Sequence, residues 1–151
     1  MAVSAEQVKT LRDQTGVSMM ECKKALEAAD GDMDKALAIL STRSVEIMAK
    51  KADRTLAAGV ISSYIHITGQ VGAMVALSCE TDFVAKNEEF VALARDIAMH
   101  AAAMRPESVE ALLAQPFIKD AEKTVTDLIS AATQKFGERI EIGSLSVASI
   151  G

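Results

Sequence analysis

The spacing of apolar residues predicts three short helices in the N-terminal third of the chain. The first spans residues 4–14 and is followed by a break at Thr15-Gly16-Val17. The second follows Ser18, which has Glu21 three residues later in the pattern of a helix-capping box, and it stops at Gly31. The third carries an apolar stripe at helical spacing: Met33, Leu37 and Leu40. Helices this short are unstable alone, so we expect them to share one core.

After Gly59 the apolar period changes from that of a helix to two, which predicts strands. Three isoleucines share one face of the first strand: Ile61, Ile65 and Ile67. A turn over residues 68–70 leads into a second strand. The alternating residues of that second strand are Val71, Ala73, Val75, Leu77 and Cys79. This pattern predicts an antiparallel hairpin.

Two longer helices and a last strand complete the pattern. One helix begins after Asn87 and ends before Pro106, with a stripe at Phe90, Ala94, Ile97, Ala101 and Met104. The other closes at Gly137, with a stripe at Val125, Leu128, Ile129, Ala132 and Phe136. In the tail the apolar parity changes, which predicts a bulge at Gly143-Ser144.

The predicted fold class is therefore α+β. A three-helix domain is expected over residues 1–54, with the boundary in a basic stretch around residues 50–54. Over residues 55–151 we expect a small antiparallel sheet covered by helices.

The charge of the chain narrows the range of partners. A formal net charge of −5 and a pI near 5.1 argue against a nucleic-acid backbone as a direct partner, because phosphate binding requires clustered positive charge. A secretory leader is not recognisable, and apolar stretches stay short of the roughly 18 residues that a membrane span requires. We therefore expect a cytoplasmic protein that binds a protein or a small molecule and does not associate with a membrane.

Catalytic and metal-binding motifs are missing from the sequence. Cys22 and Cys79 have no ligand partners at zinc spacing, so both are interpreted as reduced thiols, and neither a metal nor a cofactor is expected. Cys79 and His100 are the only candidate nucleophile and base, and Cys79 lies on the predicted buried side of its strand. The chain is accordingly predicted not to be an enzyme, with a Cys79-dependent hydrolase as the alternative to be tested.

The segment between the second strand and the long helix is the most unusual part of the sequence. In Cys79-Glu80-Thr81-Asp82-Phe83-Val84-Ala85-Lys86-Asn87, an acidic pair flanks one of only four phenylalanines. One interpretation is structural: Phe83 packs at the junction of sheet and helix while Thr81 or Asp82 caps a helical turn. The other is that Phe83 is exposed and contacts a partner.

Two adjacent methionines form a second candidate surface. Met19 and Met20 begin the second helix near Arg12 and Lys23. Adjacent helical residues point about 100° apart, so both methionines cannot lie equally deep in a three-helix core. At least one should be exposed, either as an ordinary surface residue or as an adaptable docking contact.

Two stretches of the sequence resemble signatures of the elongation factor Ts family. Residues 11–26, LRDQTGVSMMECKKAL, resemble the N-terminal signature, and residues 79–86, CETDFVAK, resemble the second one. Ala49-Lys50-Lys51-Ala52 lies between them in the expected order. The similarity continues through Ile97-Ala98-Met99-His100, Gln115-Pro116-Phe117 and Gly137-Glu138-Arg139-Ile140, so it covers nearly the whole chain.

The resemblance implies a function and assigns roles to residues. It implies a ubiquitin-associated-like N-terminal domain and a guanine-nucleotide exchange factor that binds elongation factor Tu in its GDP-bound and nucleotide-free forms. In the family, the segment matching Thr81, Asp82, Phe83 and Val84 intrudes beside the partner's magnesium site. Asp82 and Phe83 are then the intruding pair. The docking candidates are Arg12, Met19, Met20 and Lys23.

The chain also departs from the family pattern. A helical stretch that short members usually carry between the equivalents of Pro106 and Gln115 is nearly absent here. Short members can pair two copies, so the resemblance also implies a homodimer. An alternative function is a ubiquitin-associated-like protein-binding module with a dimerising core.

Overall fold

A computed structural model describes residues 2–151 of the chain. These residues fold as two units, each with its own packed interior. The N-terminal unit contains residues 2–53 and Ser130–Gly137, and the second contains Arg54–Ile129 and Glu138–Gly151. The division of the chain into domains at residues 54 and 55 stays a prediction.

The N-terminal unit contains the three predicted helices: α1 at Ala5–Thr15, α2 at Met19–Ala28 and α3 at Met33–Lys51. Ser4 and Gln7 form a reciprocal capping box at the start of α1. Ser18 caps α2 as predicted, since its side chain accepts a hydrogen bond from the backbone N–H of Glu21. The carboxylate of Glu21 instead forms an ion pair with Arg43 at 2.8 Å.

The core of this unit is built from small and aliphatic side chains. Its buried members are Val8, Leu11, Val17, Cys22, Ala25, Leu26, Ala29, Ala36 and Leu40. The expectation that Leu37 belongs to the buried stripe of α3 is wrong, because Leu37 is exposed. Ala36 and Leu40, which lie four residues apart on one face, fill that space instead.

The second unit contains the predicted sheet and helices. Its elements, in chain order, are β1 Ala58–Ile65, β2 Val71–Cys79, α4 Asp82–Ala85, α5 Glu88–Met104, α6 Val109–Ala114, β3 Pro116–Phe117, β4 Asp120–Thr124, the first turns of α7 Val125–Phe136, and β5 Glu141–Ser149. The strands β1, β2 and β5 form one antiparallel sheet in the order β1-β2-β5. The predicted α+β class, with helices first and a small antiparallel sheet afterwards, is confirmed.

The sheet has a buried inner face and an open outer face. Its inner face packs on α5, whose buried residues include Phe90, Ala94, Ile97 and Ala101. Met104 was expected to continue that stripe but is exposed at the end of the helix. The bulge predicted at Gly143-Ser144 is confirmed, because the pairing of β2 with β5 shifts from Ala76↔Ser144 to Leu77↔Ile142.

The isoleucines of β1 lie on the outer face of this sheet. Ile61 is 72% exposed, and Ile65 is also exposed. Ile67 was predicted to continue this strand, but β1 ends at Ile65 and Ile67 lies exposed in the turn that follows. Alternation alone could not decide which side of the strand faces the core, because both sides of β1 carry apolar residues. The small sheet formed by β3 and β4 was not predicted from the sequence.

Throughout residues 2–151, the helices are too short or too polar to cross a lipid bilayer.

Candidate functional site

Residues 81–84, named the tip here, place an aromatic side chain on the surface. The strand β2 ends at Cys79, and the four-residue helix α4 begins at Asp82. Phe83 is 86% exposed, whereas the next two residues, Val84 and Ala85, are buried. The interpretation that Phe83 packs at the junction of sheet and helix is therefore wrong. One turn of helix turns Val84 and Ala85 inward and Phe83 outward.

Hydrogen bonds fix the start of the tip. The side chain of Thr81 caps α4 by accepting a hydrogen bond from the N–H of Val84 at 3.4 Å. The structural interpretation was therefore right about a cap at Thr81 or Asp82, although it was wrong about burial of Phe83. The hydroxyl of Thr81 donates to Oε2 of Glu138 at 2.6 Å. The backbone N–H groups of Glu80 and Thr81 both donate to Oε1 of Glu138 at 3.0 Å. One carboxylate therefore accepts three hydrogen bonds at the base of the tip.

A second carboxylate joins the same two backbone segments in the opposite direction. Oε2 of Glu80 accepts a hydrogen bond from the N–H of Arg139, and its Oε1 lies 3.4 Å from the guanidinium of Arg54. Arg139 in turn donates to the carbonyl of Arg54 at 2.7 Å and to the carboxylate of Glu141 at 2.7 Å. The segments around residues 80 and 139 are thus held together by two reciprocal carboxylates.

Asp82 and Phe83 leave their functional groups on the surface. Both side chains are exposed, and Asp82 lies in the first turn of α4. The tip therefore presents a negative charge next to an apolar ring. The ring of Phe83 can enter an apolar pocket of a partner, and the carboxylate of Asp82 can interact with a cation bound there.

Cys79 and His100 do not form a nucleophile–base pair. The thiol of Cys79 is buried and donates to the carbonyl of Thr81 at 3.3 Å. Burial, followed by the negative charge of Glu138, raises the pKa of this thiol and so disfavours the reactive thiolate. His100 is buried, and its two ring nitrogens are engaged with Gln115 at 2.9 Å and with the N–H of Ile118 at 3.1 Å. Both residues therefore have structural contacts.

Both methionines of the second candidate surface are exposed. Met19 is 47% exposed and Met20 is 67% exposed. With Lys23 they line a shallow apolar hollow of about 510 Å³ whose remaining lining residues are Val3, Ala5 and Val8. The group of Met19, Met20 and Lys23 is named the methionine patch here. Arg12 is exposed on α1 but does not line this hollow.

The role of Glu138 and Arg139 was missed by sequence reasoning. Their segment was noticed as similar to the family, yet the sequence gives no sign that Glu138 accepts hydrogen bonds from residues 80 and 81. Only knowledge that a distant carboxylate lies beside the N-cap of α4 could have indicated these hydrogen bonds. Within residues 2–151, His, Cys, Asp and Glu side chains do not form groups of three that could hold a metal ion.

Comparison with known proteins gives a consistent result. A family model described as elongation factor TS matches residues 80–150, which include most of the second unit and the whole tip. The elongation factor Ts of Desulforamulus reducens is 40% identical over 185 residues, covering 93% of this chain and 85% of the relative. That of Thermodesulfovibrio yellowstonii is 40% identical over 186 residues, covering 94% and 93%.

A third relative shows the same similarity and the difference in length. The elongation factor Ts of Thermosipho melanesiensis is 38% identical over 194 residues, covering 99% of both proteins. These aligned lengths exceed the 151 residues of the chain. The relatives therefore contain residues that have no counterpart here.

Proposed function

Because the chain belongs to the elongation factor Ts family, we propose that it binds the GDP complex of elongation factor Tu and promotes release of GDP by disturbing the partner's magnesium site. A role in translation elongation follows from the family itself. The proposed place of action is the cytoplasm. In this proposal the protein makes or breaks no covalent bond.

The exposure of Phe83 is the observation that carries the proposal. The Phe83 ring is 86% exposed and so does not contribute the stability that a buried ring would. Stability of the fold therefore does not explain why an aromatic residue stands at this position. The ring stands on a turn held by hydrogen bonds from Thr81 to Glu138. A ring with fixed direction can enter a partner's site without first becoming ordered.

Burial energy limits the acceleration of GDP release that the Phe83 ring can supply by itself. Burying one Phe contributes about 1.5–3 kcal/mol, and each tenfold acceleration of release requires about 1.4 kcal/mol. Displacement of Mg²⁺ lowers the barrier to GDP release further, because the ion compensates the negative charge of the nucleotide phosphates. The methionine patch supplies docking energy that holds the partner in the strained state. Coupling of this kind is reciprocal, so GDP must weaken binding of this protein to elongation factor Tu by the same factor.

Release of a fluorescent GDP derivative from elongation factor Tu tests the proposal. Elongation factor Tu loaded with the derivative is mixed with excess unlabelled GDP, with and without this protein at substoichiometric concentration. We expect release to accelerate with many turnovers for each molecule of the exchange factor. Equal rates with and without the protein would contradict the proposal.

Chelation of magnesium tests the mechanism separately. Removing Mg²⁺ with EDTA speeds release from elongation factor Tu alone if the ion retains the nucleotide. The fold acceleration caused by this protein should then shrink, because part of its effect has already been produced. An acceleration that is unchanged in EDTA would show that the magnesium site is not the target.

A second copy of the chain is the proposed partner for the outer face of the sheet. This face carries Ile61, Ile65 and Met74 together with small residues, and the central positions of its three strands have no charged side chain. Gly72 is covered by Ile65, because a Cβ at Gly72 would lie 2.5 Å from Cδ1 of Ile65. A flat uncharged face can pair with itself about a two-fold axis.

Substitution of Ile65 tests the dimer. Ile65→Lys places a charge on the outer face, at the end of β1, where a dimer would bury it without a partner at a high cost. We expect the mass from light scattering to fall from that of two chains to that of one. Ile118→Lys, at an exposed position outside this face, is the matched control. A single-chain mass for the unsubstituted protein would exclude the dimer.

A further inference from the structure

Glu138 has contacts that the proposed function does not yet explain. We infer that Glu138 is a positioning residue, which holds the tip in the conformation that keeps Phe83 exposed. The inference rests on the proposed exchange function: it explains why the ring points outward and names no new partner.

The helix α4 is too short to be stable by itself. It has four residues, whereas isolated helices need about 12–15 residues to form in water. Burial of Val84 and Ala85 secures its inner side. The donors at its start would have no helical partner, since the first N–H groups of a helix lie beyond its own carbonyls. Glu138 and Thr81 accept hydrogen bonds from N–H groups in this region, at residues 80, 81 and 84.

A chain of hydrogen bonds connects Glu138 to the turn that carries Phe83. Oε2 of Glu138 accepts a hydrogen bond from the Thr81 hydroxyl, with the two oxygens 2.6 Å apart. The oxygen of the same hydroxyl accepts the N–H of Val84 at 3.4 Å. Because the first bond involves a charged acceptor, it is stronger than a neutral one and orients the hydroxyl. Thr81 therefore transmits the position of Glu138 to the residue after Phe83.

An exposed ring also needs to be restrained. An unrestrained Phe gains stability by folding onto any apolar surface within reach, since burial of the ring is favourable by about 1.5–3 kcal/mol. The two backbone hydrogen bonds to Oε1 of Glu138 fix residues 80 and 81, the joint about which such a movement would occur. These bonds restrain the backbone that supports the ring and so favour its outward direction.

The geometry requires a charged acceptor with the length of glutamate. The carboxylate of Glu138 accepts three donors, and the amide of glutamine has only one oxygen to offer. Glu80, the other carboxylate nearby, is engaged with Arg139 and Arg54. Glu80 is therefore not available to replace Glu138.

Two substitutions test the inference through GDP release from elongation factor Tu. Glu138→Gln keeps the shape of the side chain and removes its charge, and we expect the maximal release rate to fall about three- to tenfold, because charge-assisted hydrogen bonds are roughly twice as strong as neutral ones. Thr81→Val removes the bridging hydroxyl and should give a similar loss. Thr81→Ser keeps the hydroxyl, so its loss should be smaller than that of Thr81→Val. Glu122→Gln, at an exposed position of β4 outside the tip, is the matched control for loss of a carboxylate and should leave the rate unchanged.

A double substitution distinguishes positioning from a general structural role. If Glu138 acts through the ring, Glu138→Gln should have no further effect on release in a Phe83→Ala background. An equal loss in both backgrounds would overturn the inference, because it would show action independent of Phe83. The concentration for half-maximal release should change little, since the methionine patch is untouched. Thermal unfolding followed by circular dichroism identifies any variant that fails to fold, in which case the Thr81 pair decides.

The orientation of the ring can be measured without elongation factor Tu. The chain contains no Trp, so Phe83→Trp introduces a single fluorescent reporter at the tip. Adding Glu138→Gln should shift its emission to shorter wavelength and weaken quenching by acrylamide, as the ring folds back onto the protein. Unchanged quenching would overturn the inference.

The results separate the inference from the proposed function. A slow Phe83→Ala variant beside a fully active Glu138→Gln variant would overturn the positioning role and leave the exchange function intact. Full activity of both variants would overturn the role of the ring and, with it, the inference.

Discussion

The tip and the methionine patch both expose apolar side chains, but they are built differently. At the tip a single ring stands on one helical turn, and the carboxylate of Glu138 fixes the backbone below it. In the methionine patch, Met19 and Met20 extend from a ten-residue helix whose other face lies in the core of its unit. Hydrogen bonds hold the backbone of the tip, whereas the side chains of the patch are adaptable because Met has three rotatable bonds.

Under the proposed function, this difference would give the two surfaces different tasks. A ring on a fixed backbone would act on the rate of release, since interactions made only in the strained state change a rate. An adaptable patch would remain in contact while the partner changes shape and would contribute mainly to affinity. The following predictions test this division, beginning with the largest expected effect.

Phe83→Ala should have the largest effect on release. Loss of the ring removes about 1.5–3 kcal/mol from the strained complex, which corresponds to a maximal GDP release rate about ten- to a hundredfold lower. Stopped-flow measurement at saturating concentrations of the variant tests this prediction. Ile118→Ala, at another exposed apolar position of the same unit, should leave the rate unchanged. An unaltered rate in Phe83→Ala would exclude the ring as the active group.

Combined substitution of Met19 and Met20 by Ala should raise the concentration for half-maximal release. We expect an increase of about five- to thirtyfold from the lost apolar contact, with the maximal rate preserved. Titration of the variant against a fixed amount of the GDP complex gives both quantities. Val45→Ala, on the exposed side of α3, is the control. A reduced maximal rate with unchanged affinity would reverse the proposed roles of patch and tip.

Substitution by Leu should distinguish rigidity from adaptability. Phe83→Leu keeps an apolar side chain but changes its shape, so we expect a loss of about three- to fivefold in maximal rate. Met20→Leu preserves volume and should change the affinity by less than about twofold, as volume-conserving apolar exchanges are well tolerated. The two variants are compared in the same release assay. Equal effects would show that the patch is as dependent on shape as the tip.

Neutralising the charged member of the methionine patch should have the smallest effect. Lys23→Ala removes an exposed positive charge, and we expect the association rate to fall about twofold at low salt and to match the unsubstituted protein at high salt, because screening suppresses surface electrostatics. Arg12→Ala, which removes an exposed positive charge on α1, should show the same dependence of the association rate on salt. A loss that persists at high salt would mean that the aliphatic part of Lys23 packs against the partner.

Much of the fold could be predicted because its signals are local. Ser18 at the start of α2, the stripe from Phe90 to Ala101 on α5 and the bulge at Gly143-Ser144 are all features of neighbouring residues. The errors occurred where a choice depends on distant packing. Leu37 was placed in the core although Ala36 and Leu40 occupy it. The strand β3 has only two residues, and the five residues of β4 show no alternation of apolar and polar side chains.

The candidate site was predicted in part. The residues of the tip and of the methionine patch were chosen through the family resemblance and their unusual composition, and their functional roles stay predictions. The sequence left two interpretations for Phe83 and gave no role to Glu138. Both matters depend on contacts between residues 80–81 and residue 138, which no local pattern encodes.

The sequence by itself determined the order of helices and strands, the family to which the chain belongs and the residues that compose the tip. Periodicity and short motifs determine these features because they act between close neighbours. Only the tertiary structure decided that Phe83 points outward, that the isoleucines of β1 lie on the open face of the sheet, and that Glu138 caps the tip. The physical reason is that exposure and hydrogen-bond partnership depend on which distant segments meet, and folding alone brings those segments together.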